Sequence, residues 1–398
     1  MSDRVYREIG KAYSDASQVA SGLKARFDAA DFDPAGISSL AGLSQLPVMK
    51  KEELLMLQRA NPPFGGFLAT DPRKLSRIYV SPGPIFEPSL AGGGGHGLDL
   101  LFRSAGMTSD DIMLNTWAYH LVPAGLLFDE AAQAVGATVI PGGIGNRELQ
   151  AQIIVETGVT AICASTAFFL ALADTVIENY GRDAWKVKTA FLGGEMGDWM
   201  AKRRRIEADY AVSTWAAYAT ADLGLVGYED GDDGYMVPAD RIVQICDPVT
   251  GNSLPKGEIG EIVVTTLDAG WPMIRFGTGD SALALDMDED GRVTRISAIQ
   301  GRVGAAIKVR EIFIYPRAIE EVVIAVSGVS AAQAIVTREK DRDCLRLSLV
   351  VEEGTDHEAA SQAASEAFQK TARIRADSIE FIGSLPDGAD LLVNNKDS

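Results

Sequence analysis

Asp111-Ile112-Met113-Leu114-Asn115, Gly136-Ala137-Thr138-Val139-Ile140, Ala161-Ile162-Cys163-Ala164 and Thr189-Ala190-Phe191-Leu192 are four short apolar runs, each bounded by turn residues. Between them lie stretches with apolar positions at helical spacing, such as 148–156 and 168–180. Runs that are apolar throughout suit strands covered on both faces, and strand–helix alternation joins such strands by crossovers. The pattern predicts an α/β fold whose large N-terminal domain is built on doubly covered, mainly parallel sheets. Residues 77–80, Arg77-Ile78-Tyr79-Val80, read as a further strand of the series. Residues 1–60 read as helices, with Val5, Ile9, Tyr13, Leu54, Leu55 and Leu57 at helical spacing. After about Pro238 the pattern changes to hairpins at 241–246, 260–265, 282–285 and 292–296, an antiparallel β subdomain. The tail reads as helix 318–326, strands 332–337 and 344–351, helix 357–375 and a last strand 378–382, a small α+β domain.

Composition limits what such a chain binds. Its 398 residues suit one large and one small domain, and 46% hydrophobic with 23% charged residues is a globular balance. The formal charge of −18 repels nucleic-acid phosphates and anionic membrane surfaces, so neither is an expected partner. A polyanionic ligand needs local basic groups or backbone N–H donors. Cys163, Cys246 and Cys344 lie far apart with no CxxC pair and read as buried small hydrophobes. The first residues carry no apolar signal segment, and no run reaches the roughly 20 apolar residues that span a bilayer. The expected location is the cytoplasm. Nothing in the sequence decides the oligomeric state, and a homodimer is left open.

The chemistry-bearing segments are weak singly and informative in order. Ser81-Pro82-Gly83-Pro84-Ile85-Phe86-Glu87-Pro88 and Gly193-Gly194-Glu195 each follow a strand, where α/β sheets place ligand loops. Tyr218-Ala219-Thr220-Ala221-Asp222, Ile274-Arg275-Phe276-Gly277-Thr278-Gly279-Asp280 and Gly301-Arg302 come next. Plainer readings stand beside these: Asp280 as a turn-forming Asx, Tyr218 as core, Arg302 as a surface ion pair. With the leader Leu46-Pro47-Val48-Met49-Lys50-Lys51-Glu52-Glu53-Leu54, the series resembles the phenylacetate–coenzyme A ligase group of the acyl-adenylate-forming superfamily over nearly the whole chain.

That resemblance implies an AMP-binding domain over 1–302 and a small mobile domain over 303–398. It implies ATP or AMP, Mg²⁺ and coenzyme A as cofactors, and a small carboxylic acid as substrate. Asp280 would take the ribose hydroxyls, and Arg302 the ribose or the phosphate. Gly194 and Glu195 would line the adenine, and Tyr218 would stack on it. Ser81 and Gly83 would belong to the phosphate loop. Asp222 stands where the family has a magnesium-binding glutamate. Tyr119, His120 and Phe128, with Ser165 and Phe168 as another wall, would form a flat slot for an aryl or short acyl group. His120 reads either as a packing residue or as a catalytic neighbour of the substrate carboxylate.

The departures cluster on phosphate chemistry. The family loop, Ser-Ser-Gly-Thr-Thr-Gly-Lys-Pro, keeps only Ser81, Gly83 and Pro88 here. Pro82 and Pro84 remove N–H donors, and Glu87 replaces the lysine, so like charge is expected to face a triphosphate. After Leu385-Pro386 no lysine stands where relatives have one, Lys396 falling several residues late. The hinge aspartate is replaced by Gly304 and the Arg-Gly pair by Arg310-Glu311; at the zinc segment of some relatives stand Asp230 and Tyr235, so no zinc is expected. Two functions remain: an ATP-dependent acid–coenzyme A ligase, or a diverged protein that binds a nucleotide, acyl-adenylate or acyl-CoA without adenylating.

Overall fold

A computed structural model describes residues 2–81, 85–90, 97–193, 199–268, 270–299, 301–303, 307–310, 312–314, 316–339, 342–372, 374–386 and 388–396. The chain divides into one unit containing Met1–Ser81 and Ile85–Val303, and a second containing Gly304–Ser398.

In the first unit the apolar runs form a five-stranded, all-parallel sheet in the order Thr138–Pro141, Ile112–Asn115, Ala161–Ser165, Thr189–Gly193, Ser213–Trp215. Strand Ala161–Ser165 shows why the run is apolar throughout. Ile162 and Ala164 enter a core with Phe169, Leu172 and Val176 of helix Thr166–Tyr180, while Ala161 and Cys163 enter another with Phe102, Leu127 and Phe191. Successive side chains leave on opposite faces, so covering both faces makes every position apolar. Ser165 starts that helix as its N-cap, its hydroxyl accepting from the Phe168 N–H at 3.4 Å.

A nine-stranded mixed sheet supplies the other core of this unit. Its strands run Met49–Lys50, Phe276–Met287, Ile259–Thr266, Arg241–Cys246, Val293–Ile296, Tyr235–Met236, Gly224–Tyr228, Ala217–Thr220, with Gly301–Arg302 beside Phe276–Met287. The first pairing is parallel and the others antiparallel, as hairpins require. The N-terminal helices pack Tyr6, Ile9, Tyr13 and Leu23 on it, and the Tyr13 hydroxyl donates to the Thr266 and Met273 carbonyls at 2.7 and 2.8 Å.

One element departs from the sequence reading. Residues 77–80 lie in strand Leu75–Ser81, which pairs antiparallel with Ile85–Leu90 in a separate two-stranded sheet and is no member of the parallel series. The reason is connection length: only three residues separate the strands, whereas a parallel crossover takes a dozen or more. Helix Lys51–Ala60 pins this hairpin through Gln58, whose amide donates to the Phe86 carbonyl and accepts from the Phe86 N–H, both at 2.8 Å.

The second unit is a four-stranded sheet ordered Ser378–Phe381, Arg342–Val351, Val329–Glu339, Leu392–Asn395, antiparallel at the centre and parallel at both outer pairings. Helices Pro316–Ala325 and His357–Ala372 complete its core, in which Ile319, Val322, Leu347 and Phe368 are buried. Here 378–382 is not the last strand. Leu392–Asn395 adds another, set in register by Ala334 opposite Leu392. Its two asparagines disguise it, since edge positions need no apolar alternation.

Candidate functional site

Asp280 is aimed by a bulge. Opposite Ile262 the pairing skips from Val263–Gly277 to Glu261–Ser281, so Thr278, Gly279 and Asp280 bow out of the ladder. Gly279 turns at φ +72°, a conformation suited to glycine. The Thr278 hydroxyl donates to the Ile262 carbonyl at 3.0 Å and accepts from the Asp280 N–H at 3.1 Å, while the Gly279 N–H donates to Glu261 Oε1 at 3.0 Å. With the turn held by other groups, the Asp280 carboxylate faces two donors. The Tyr218 hydroxyl reaches Oδ2 at 2.8 Å and Arg302 Nη1 reaches Oδ1 at 2.7 Å. Both charged side chains are nearly covered, at 13% and 12% exposure, so this is not a rim ion pair.

Three residues from separate segments thus meet at one carboxylate. A carboxylate has about four acceptor positions, and these bonds use two, leaving room for a diol. Burial, with Asp280 next to it, pushes the Tyr218 phenol well above its ordinary range, so it remains a donor. Its ring is buried in the main core, so the hydroxyl rather than an open ring face is what Tyr218 offers.

Strand Ala217–Thr220, which carries Tyr218, leads directly into Asp222. Asp222 Oδ2 accepts from the Lys51 ammonium at 2.6 Å, and its Oδ1 is buried without a partner among the described residues. Glu87 belongs to the same neighbourhood. It is 2% exposed, accepts the Ser81 hydroxyl at 2.6 Å on Oε1, and leaves Oε2 without a partner among the described residues. Burial, then the Asp222 charge, lifts the Glu87 carboxyl from 4.5 to about 8, with Lys51 and Ser81 opposing. The expectation that Glu87 presents like charge to a triphosphate is therefore revised: its side chain points into the protein and is mostly protonated near neutral pH. Lys51 is the residue that motif reading left without a role, although the leader motif contains it.

The acyl-region residues are only partly brought together. Phe128 stacks on Trp117 with ring centroids 6.3 Å apart and lies 6.1 Å from Phe102. Tyr119 accepts from Asn115 Nδ2 at 2.9 Å and donates to Asp129 Oδ2 at 2.8 Å, so its hydroxyl is engaged within the fold. His120 is exposed. Ser165 spends its hydroxyl on the helix cap. Phe168 packs with the core on the opposite face of the parallel sheet from Phe128, so the two do not share a wall. The helix that begins at Ser165 crosses to that other face and carries Phe168 with it. Gly83, Gly194 and Glu195 lie outside the described residues.

Elsewhere, Asp230 accepts from Arg295 at 2.9 and 2.7 Å, which holds its carboxyl below the usual range. In the second unit Lys396 Nζ lies 2.7 Å from Asp343, with both side chains mostly covered.

No protein-family model matches the chain. It is 27% identical over 361 residues to the phenylacetate-coenzyme A ligase of Thermus thermophilus, covering 85% of this chain and 79% of that protein. With the phenylacetate-coenzyme A ligase of Aromatoleum evansii it shares 28% over 342 residues, 82% and 76% of the two chains. Among solved structures it matches 2-hydroxyisobutyryl-CoA ligase in complex with 2-HIB-AMP and CoA, at a TM-score of 0.86 and 22% identity over 99% of this chain and 90% of that one. The amide bond synthetase McbA of Marinactinospora thermotolerans matches at a TM-score of 0.57 and 15% identity over 79% and 67%.

Proposed function

The chain being a sequence relative of the phenylacetate-coenzyme A ligases with an adenylate-forming ligase fold, we propose that it is an AMP-forming acid–coenzyme A ligase for an aryl or short-chain acid. The acid's carboxylate oxygen attacks the α-phosphorus of ATP and pyrophosphate leaves. The coenzyme A thiol then adds to the acyl carbon of the mixed anhydride, AMP departs, and the thiol proton passes to solvent. Such displacement asks the protein for position and charge neutralisation rather than for a nucleophile of its own.

The observation that carries this reading is the Tyr218–Asp280–Arg302 cluster, an acceptor for a ribose diol flanked by a phenol donor and a guanidinium. Arg302 would fix the Asp280 carboxylate and set its guanidinium charge beside the ribose or phosphate. Trp117 and Phe128 would supply the flat apolar wall of an acyl slot. The surroundings of Asp222, enclosed and bonded to the Lys51 ammonium, do not fit the magnesium ion that the resemblance implies.

A second reading, binding of an acyl-adenylate or acyl-CoA without adenylation, is favoured by the buried, Ser81-bonded Glu87 where the resemblance implies a phosphate-loop lysine. One experiment separates the two. The purified chain is given ATP, magnesium, coenzyme A and a panel of aryl and short-chain acids, and pyrophosphate release and thioester formation are followed. Turnover with both products supports the ligase. AMP binding without pyrophosphate release supports the second reading.

A further inference from the structure

We infer that the Lys51 ammonium is the resident cation of the Asp222 carboxylate, and that this chain binds its adenylate with no divalent ion held at Asp222. The inference rests on the nucleotide reading above for its ligand, but on the packing around Asp222 for its content. Lys51 Nζ approaches Asp222 Oδ2 to 2.6 Å, a charge-assisted bond, and the Asp222 side chain is only 1% exposed. Magnesium demands near-octahedral oxygen donors at about 2.0–2.1 Å and keeps several of its waters. Asp222 is enclosed, with an ammonium on one oxygen and its other oxygen buried, which leaves no place for that hydration shell.

The second carboxyl repeats the pattern. Glu87 is equally enclosed, spends one oxygen on the Ser81 hydroxyl, and feels the charges of both Asp222 and Lys51. Lys51 is also held from behind. It begins the helix Lys51–Ala60, whose Gln58 fastens the Glu87 strand by both polar groups of Phe86, so the ammonium and the Glu87 carboxyl sit on elements clamped together. Aspartate, one methylene shorter than the glutamate the resemblance calls for, keeps its carboxylate within this enclosure.

The test uses the full chain stripped with EDTA. AMP binding is measured by calorimetry in excess magnesium chloride and in excess EDTA, and Mn²⁺ alone is titrated into the protein while its EPR signal is followed. The expected result is an AMP affinity equal within about twofold in the two buffers, and Mn²⁺ that stays free. Mn²⁺ captured by the wild type and released by Asp222→Asn would overturn the inference, making the two unpartnered oxygens a metal site. Failure of AMP to bind in either buffer would instead sink the nucleotide reading, and the Mn²⁺ titration would still decide the present one. Lys51→Met should either lose several degrees of melting temperature or, if folded, capture Mn²⁺; a Lys51→Met that does neither would also overturn it. Lys51→Arg keeps the cation and should leave Mn²⁺ free.

Discussion

Arg302 and Asp280 are direct partners across the pairing of Gly301–Arg302 with Phe276–Met287, and Arg302 Nη1 donates to Asp280 Oδ1 at 2.7 Å. Backbone register therefore sets the side-chain pair, and the bulge at Thr278–Asp280 sets its direction. Charge-assisted bonds from a ribose to such a carboxylate contribute roughly 1.5 to 3 kcal/mol. Asp280→Ala should weaken AMP binding about tenfold or more, and Tyr218→Phe, which removes one supporting donor, by less. Calorimetry on variants with wild-type circular dichroism checks this. Unchanged affinity in a folded Asp280→Ala would remove the residue from the site.

Glu87 gives the stability a pH dependence of definite sign. Its carboxyl titrates near 8 in the folded chain against an ordinary 4.5, so the native state holds a proton that the unfolded state releases. The stability this contributes is fully present below about 4.5 and is lost as pH rises toward 8. Glu87→Gln has no proton to lose. It should match the wild type near pH 4.5 and exceed it by on the order of 2–4 kcal/mol at pH 8.5. Urea midpoints at the two pH values read the difference. A constant offset would mean that Glu87 does not titrate in this range. Glu87→Lys should destabilise, because it sets a second ammonium beside Lys51.

The parallel sheet was legible because burial on both faces leaves a mark in each strand, as the run 161–164 shows. Hairpin 75–90 was misread because Arg77-Ile78-Tyr79-Val80 looks the same in either kind of sheet, and only the three-residue link distinguishes them. Asp280, Tyr218 and Arg302 could be singled out by motif, but their meeting depends on a register and a bulge that no local pattern states. The Lys51–Asp222 bond joins residues 171 apart in sequence, and neither residue has a local signal for the other. For Glu87, charge could be read and direction could not. Its strand is buried at three successive positions, Glu87, Pro88 and Ser89, so no alternation marks which way the carboxylate points.

The clamp at Gln58 can be tested by itself. Its amide makes two bonds to one peptide unit, and Gln58→Leu leaves the Phe86 N–H and carbonyl without those partners. The expected cost is roughly 1–3 kcal/mol, with faster amide exchange across Ile85–Leu90 and little change in the five-stranded sheet. Exchange that speeds equally in both would show a global loss rather than a released hairpin.

The last prediction separates the two faces of the parallel sheet. Phe128 stacks on Trp117 and belongs with Phe102 and Phe191, whereas Phe168 packs with the core of the opposite face. Truncating Phe128 opens space beside the indole, and selectivity follows the contacts that change in a pocket. Phe128→Ala should therefore shift preference toward bulkier acids while AMP affinity stays the same. Truncating Phe168 opens space where no acid is expected, so Phe168→Ala should lower stability by about 1–3 kcal/mol for a half-buried ring and leave the order of acids unchanged. Thioester formation over one acid panel, run on both variants and the wild type, reads the contrast. An altered acid order in Phe168→Ala alone would place the slot on the opposite face. An unaltered order in both would move it away from these rings altogether.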